Sequence, residues 1–266
     1  MRPWTTLFLL ALPGLACSTS STSSGEPSPR PNLLIVYPDQ WRGQALGCLG
    51  EDPVVTPRLD ALAAQSLVLT EAVANYPVCS PSRAMLLSGC WPRSNGVLSN
   101  CNTNGTEHGY ELRADQPCWS DVLAQAGYSL GWIGKWHLDG PRPPYVESPN
   151  NSPDFAWNEW TPPERRHGFG FWYAYGTMDD HLRPMYRTTD APRDGAHRVD
   201  QWGPEHETDV ALRFLRNEGG TLRDPDAPFA LVVAMNPPHM PYGKVPERYK
   251  RVYADRTARE LCPRPN

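Results

Sequence analysis

Three short, unbroken apolar runs, at residues 32–37, 128–133 and 229–235, constrain this chain most. They are too short for independent helices. Continuous rather than alternating apolarity argues for strands covered on both faces. The segments around them carry helix signals. Residues 56–63 open with Thr56-Pro57 and place Leu59, Leu62 and Ala63 on one face, so a capping residue, a first-turn proline and an apolar stripe coincide. Residues 120–126 read as a helix stopped by Gly127. Residues 208–217 carry Val210, Ala211, Phe214 and Leu215 on one face before Gly219. Residues 66–73 read as one more strand. This alternation predicts an α/β fold with a mixed, largely parallel central sheet flanked by helices.

The chain has 266 residues, 39% of them hydrophobic, and a net charge of −4. That is ample for one core and leaves room for two small ones. The mild acidity gives no support to nucleic-acid binding. Thirty prolines and ten tryptophans imply many loops. The Trp, Tyr and Arg residues at 157–187 are equally compatible with a sugar or aryl pocket and with a packed loop. At the start, Arg2 is the only charge before a short apolar run at 7–12, and Gly14-Leu15-Ala16 supplies small residues. Residues 1–16 therefore read as an export signal, 17–31 as a Ser/Thr/Pro-rich tether, and 32–266 as folded. Cys17 is compatible with a lipidated membrane anchor and with plain cleavage after Ala16. Either way the protein is expected outside the cytoplasm: periplasm, outer surface or secreted. Export permits disulfides among the seven cysteines, and a Cys101–Cys118 bridge would close a plausible loop.

In parallel sheets, ligands sit beyond the carboxyl ends of the strands. Asp39, Lys135, His137 and His239 each fall just after an expected strand. The segment Cys79-Ser80-Pro81-Ser82-Arg83 enters a further helix that Gly89 should end, with Pro81 in its first turn. A helix N-terminus favours an anion, and Arg83 lies one turn inside. Each residue has an ordinary alternative: a cap for Asp39, a solvated cation for Lys135, a structural imidazole for His137 or His239, a buried or activated thiol for Cys79. Their convergence on one sheet edge is what marks a site.

Cys79 to Arg83, followed by Leu87-Ser88-Gly89, resembles the signature of type I sulfatases. Residues 36–41, residues 56–62, Gly134-Lys135-Trp136-His137-Leu138 and Pro237-Pro238-His239 resemble further segments of that family, in the family's order. The resemblance implies an alkaline-phosphatase-like hydrolase fold and cleavage of a sulfate monoester on a small molecule or glycan. It implies that a formylglycine-generating enzyme converts Cys79 to formylglycine, whose hydrate attacks sulfur. It also implies Ca2+ or Mg2+ held by Asp39, Gln40 and residue 79, with Gln40 standing where many members have Asp. Arg83 would stabilise the hydrate, Lys135 and His137 would contact the hydrate and sulfate, and His239 would contact sulfate or protonate the leaving oxygen. The family's later metal-binding Asp-Asn or Asp-His pair has no match after His239. The expectation is therefore an N-terminal portion of a catalytic domain, inactive by itself. Two alternatives stand beside it: a truncated, non-catalytic product, and a phosphonate or phosphate ester hydrolase of the same superfamily.

Overall fold

The structure, a computed structural model, describes residues 30–262. The expected export signal, Cys17 and most of the tether lie outside the described residues. The fold opens with β1 (Leu33–Val36), α1 (Pro57–Ala63) and α2 (Cys79–Ser88). Two short helices, α3 (Pro92–Asn95) and α4 (Thr103–Glu107), precede α5 (Trp119–Gln125) and β2 (Ser129–Lys135). Then come β3 (Phe171–Tyr175), β4 (Met185–Thr188) and β5 (His197–Arg198). α6 (Gly203–Arg216) returns the chain to β6 (Phe229–Ala234), and α7 (Glu247–Lys250) and α8 (Ala258–Leu261) follow.

The strands form one sheet in the order β1-β6-β2-β3-β4-β5. β1, β6, β2 and β3 run parallel, and β4 and β5 are antiparallel additions. The expected mixed, largely parallel sheet is therefore the observed one. Successive strand side chains point to opposite faces, and this splits the core in two. Leu130, Trp132, Ala230 and Val232 pack with Ala84 and Leu87 of α2 on one face. Ile133, Leu231 and Val233 pack with Val210, Ala211 and Phe214 of α6 on the other. A layer of helix on each face is what lets β2 and β6 be apolar without a break.

Several local readings need correction. Residues 66–73 form no strand; Leu67 is 87% and Val73 81% exposed. Apolar content alone does not make a strand when no neighbour supplies ladder bonds. The α1 stripe is likewise open, with Leu59 and Leu62 exposed. Thr56 does not cap α1; its Oγ1 accepts from the Gly47 amide (2.7 Å) and donates to Asp60 (2.8 Å). α6 begins at Gly203, five residues before the expected start at 208, because Pro204 supplies a first-turn start. β3 to β5 lie partly in the stretch left open between pocket and loop. The aromatic run Phe171–Tyr175 is their signal, and it pairs with β2 from Gly131 to Lys135. Cys101 and Cys118 are free thiols, not a bridge, each pushed up to about 12 by burial. Cys118 is the capping residue just before α5, where Asp121 accepts from the Cys118 amide (3.0 Å) and contacts the His167 ring (3.3 Å), a clasp between α5 and the turn at 167.

Candidate active site

The parallel strands end at one edge, and the predicted site residues meet there. Past β1 the ladder continues: the Tyr37 amide donates to Val233 O and the Asp39 amide to Met235 O, both at 2.8 Å. Asp39 is thereby fixed against the end of β6. Lys135 is the last residue of β2 and is fully buried. Its Nζ lies 2.6 Å from Asp39 Oδ2 and 3.7 Å from Cys79 Sγ. Gly134 makes this ending possible. It has φ +91°, and a Cβ there would sit 2.4 Å from Ala234 O, so only glycine fits so close to β6.

Cys79 is the first residue of α2, in the turn whose backbone amides have no partner within the helix. Gly89 ends the helix in the left-handed region, φ 66°. Ser80 ties this turn down: its Oγ donates to His137 O (2.7 Å) and accepts from the Cys101 amide (3.0 Å), while its amide donates to Asn100 (3.1 Å). Arg83 bonds the end of β2 and the neighbouring carboxylate. One guanidinium nitrogen donates to Lys135 O (2.6 Å) and another to Asp39 Oδ2 (3.1 Å), with the group stacked over Tyr37. Its role in the geometry is to hold Asp39 and the end of β2.

The electrostatics are cationic around one carboxylate. Burial alone would raise the Asp39 carboxyl, but the Lys135 and Arg83 charges outweigh it and hold it well below the usual range. Burial would also raise the Cys79 thiol; hydrogen bonding with His239 and the Lys135 charge turn the net shift downward. His137 is buried and held neutral, first by burial and then by the neighbouring Lys135 and Arg83 charges. Both of its ring nitrogens are buried without a partner. Its φ is 56°, and that of Gln40 is 61°. Two non-glycine residues in the left-handed region at one site are conformations the surroundings must enforce. His239, on the loop after β6, has its pKa raised, chiefly by the hydrogen bond with Cys79. Asp39, Gln40, Cys79, Arg83 and His239 border an open cavity of about 390 Å³, with Tyr37, Trp41 and Arg42 on its walls.

All seven predicted residues therefore converge, with Arg83 bonded to Asp39 and the Lys135 carbonyl. Sequence reasoning missed the residues that hold them. Ser80 and Asn100 anchor the Cys79 turn. Asn236, the second residue beyond β6, donates to Met178 O (2.6 Å), while Asp179 and His181 approach His239 from the loop after β3. Asn236 had a position signal, directly following a strand; Asp179 and His181 follow a strand that was itself unread.

A family model described as Sulfatase matches residues 31–260. An endo-4-O-sulfatase of Bacteroides thetaiotaomicron is 40% identical over 258 residues, which is 91% of this chain and 50% of that protein. An ulvan-active sulfatase of Formosa agariphila is 35% identical over 228 residues, 85% of this chain and 39% of that protein. The crystal structure of the candidate sulfatase yidJ from Bacteroides fragilis superposes with a TM-score of 0.85 at 50% identity, covering 91% of this chain and 51% of that one. The chain thus spans half or less of the length of the two curated relatives named.

Proposed function

The chain belongs to the sulfatase family, and from that membership we propose that the complete protein hydrolyses a sulfate monoester carried on a glycan, with residue 79 as its nucleophile. The observation that carries this reading is the placement of Cys79. It starts a helix, Lys135 Nζ is 3.7 Å from its sulfur, and Asp39, Arg83 and His239 surround it beside an open cavity.

Conversion of Cys79 to formylglycine fits these surroundings. The helix start favours negative charge, and the two unpartnered nitrogens of His137 are donors or acceptors without a protein partner. As an aldehyde hydrate, residue 79 would supply one hydroxyl oxygen to attack sulfur and a second hydroxyl that, on losing its proton, re-forms the carbonyl while the carbon–oxygen bond to the sulfated oxygen breaks and sulfate leaves. A hard divalent cation, Ca2+ or Mg2+, fits the donor chemistry. Asp39 is ionised, Gln40 adds an amide oxygen, and residue 79 would complete this part of the shell. Such an ion supplies positive charge that neutralises sulfate oxygens.

The chain's own residues do the rest. Lys135, buried and paired with Asp39, places a fixed positive charge beside the attacking oxygen, where the low dielectric strengthens it. Arg83 holds Asp39 and the Lys135 carbonyl in register. Neutral His137 orients through hydrogen bonds rather than charge. His239 delivers a proton to the leaving oxygen. The names of both relatives, an endo-4-O-sulfatase and an ulvan-active sulfatase, motivate the choice of a sulfated glycan.

The test is peptide mass analysis after co-expression with a formylglycine-generating enzyme. Residue 79 should lose sulfur and gain oxygen. Sulfate release should require a divalent ion and vanish in Cys79→Ala. An unmodified thiol in active protein would refute the assignment, and faster turnover of phosphate esters than of every sulfate ester tested would replace it.

A further inference from the structure

The loop after β3 grips the loop after β6 at successive points. Met178 O accepts from Asn236 (2.6 Å). His181, almost fully buried, donates from Nε2 to His239 O (2.9 Å) and Met240 O (3.2 Å). Between them lies Asp179. Its amide donates to Asn150 Oδ1 (3.0 Å), and its Oδ2 accepts from Asn150 Nδ2 (2.7 Å). That reciprocal pair fixes the carboxylate plane. The other oxygen, Oδ1, is buried without a hydrogen-bond partner and lies 3.7 Å from His239 Nδ1.

A buried carboxylate oxygen left unpaired is costly unless a positive or donor group faces it. His239 Nδ1 faces it at 3.7 Å, a charge contact beyond hydrogen-bond range, on an Asp179 side chain that is 41% exposed as a whole. It also contacts the carbonyl of Met240 at 2.8 Å, and a carbonyl can only accept, so Nδ1 carries a hydrogen. With Nδ1 turned this way, Nε2 is the nitrogen left to reach Cys79. The Met240 carbonyl takes the Nδ1 hydrogen and the Asp179 carboxylate stands behind the same nitrogen, so together they present the far nitrogen of the ring in one orientation.

We infer that Asp179 is a positioning residue for His239, needed when the leaving alcohol must be protonated as it departs. The inference rests on the proposed function, in which His239 acts at the leaving oxygen. As the sulfur–oxygen bond breaks, its electron pair goes to the leaving oxygen. His239 acts in its imidazolium form, with a hydrogen on each ring nitrogen; the Nε2 hydrogen passes to that oxygen as a proton, the ring is left neutral with its hydrogen on Nδ1, and solvent water later returns a proton to Nε2. An ester with a good leaving group needs no such proton, so the requirement for Asp179 depends on the substrate.

The experiment compares the matured, complete protein with Asp179→Asn, Asp179→Ala and His239→Ala on aryl sulfates graded from 4-nitrophenyl to 4-methoxyphenyl. In both Asp179 variants kcat/KM should fall less than threefold on 4-nitrophenyl sulfate and tenfold or more on 4-methoxyphenyl sulfate, with His239→Ala showing the same steepening more strongly. A crystal structure of Asp179→Ala should show the imidazole rotated off residue 79. A purely structural role would lower all esters equally. Steepening in His239→Ala but in neither Asp179 variant overturns the inference alone. No steepening in His239→Ala overturns the role of His239, and the inference with it.

Discussion

Lys135 shows how one side chain is given its chemistry by position. A lysine after a strand is ordinarily a solvated cation. Here Gly134 bends the backbone against β6, Arg83 takes the Lys135 carbonyl, and the ammonium is sealed beside Asp39 and Cys79. A charge that cannot be solvated by water acts on whatever stands in front of it. Lys135→Ala in the complete, matured protein should lower kcat by roughly a hundredfold or more. Steady-state kinetics on 4-nitrophenyl sulfate check this, and a loss below tenfold would place the charge outside the reaction. Gln40 and His137 make a related point. Their left-handed backbones are visible only in the fold, because neither residue type requires positive φ, although histidine adopts it more readily than most.

At the scale of elements, the contact between α6 and the sheet contains an unusual group. Glu207 of α6 is fully buried, and its Oε1 accepts from Tyr175 (2.9 Å) at the end of β3 and from Tyr186 (3.1 Å) on β4. Burial pushes its carboxyl up to about 8 from an ordinary 4.5, against the opposing effects of the two phenols and the Arg83 charge. The folded protein therefore holds this proton more tightly than the unfolded chain does. Its contribution to stability is complete below pH 4.5 and declines as pH rises from there to about 8, where the folded carboxyl also ionises. Glu207→Gln keeps an acceptor for the phenols and removes the titration. Thermal midpoints measured from pH 4.5 to 8.5 should fall less steeply in Glu207→Gln than in the wild type. Parallel slopes would show that the carboxyl is already ionised in the fold.

The described residues as a whole are unevenly covered. β2 and β6 are sealed on both faces, whereas β1 forms one margin of the sheet with Leu34 and Val36 more than half exposed. Leu62, Leu67, Leu69 and Val73 are also exposed nearby in sequence. An uncovered strand with apolar side chains pairs readily with other copies. A polypeptide restricted to residues 31–262 should therefore self-associate, and Leu34→Lys with Val36→Lys should reduce this. Light scattering coupled to size exclusion decides it; a monodisperse monomer from the unsubstituted polypeptide would show that these side chains find cover within it.

The sequence by itself determined the strands β1, β2 and β6, because each is a short apolar run; helices cover β2 and β6 on both faces, whereas β1 is a margin strand left largely exposed. It also determined the helix after Cys79, bounded by Pro81 and Gly89, and the positions of Asp39, Lys135, His137 and His239 at strand ends, because a parallel sheet sends all of these to one edge. Residues 66–73 have strand-like content and form no strand, since ladder bonds depend on a neighbour that composition does not reveal. Only the tertiary structure decided that Arg83 pairs with Asp39, that Cys101 and Cys118 stay apart as thiols, and that Asp179 stands behind His239. Those outcomes depend on distances between segments far apart in the chain, and no local propensity or spacing encodes a distance across a sheet.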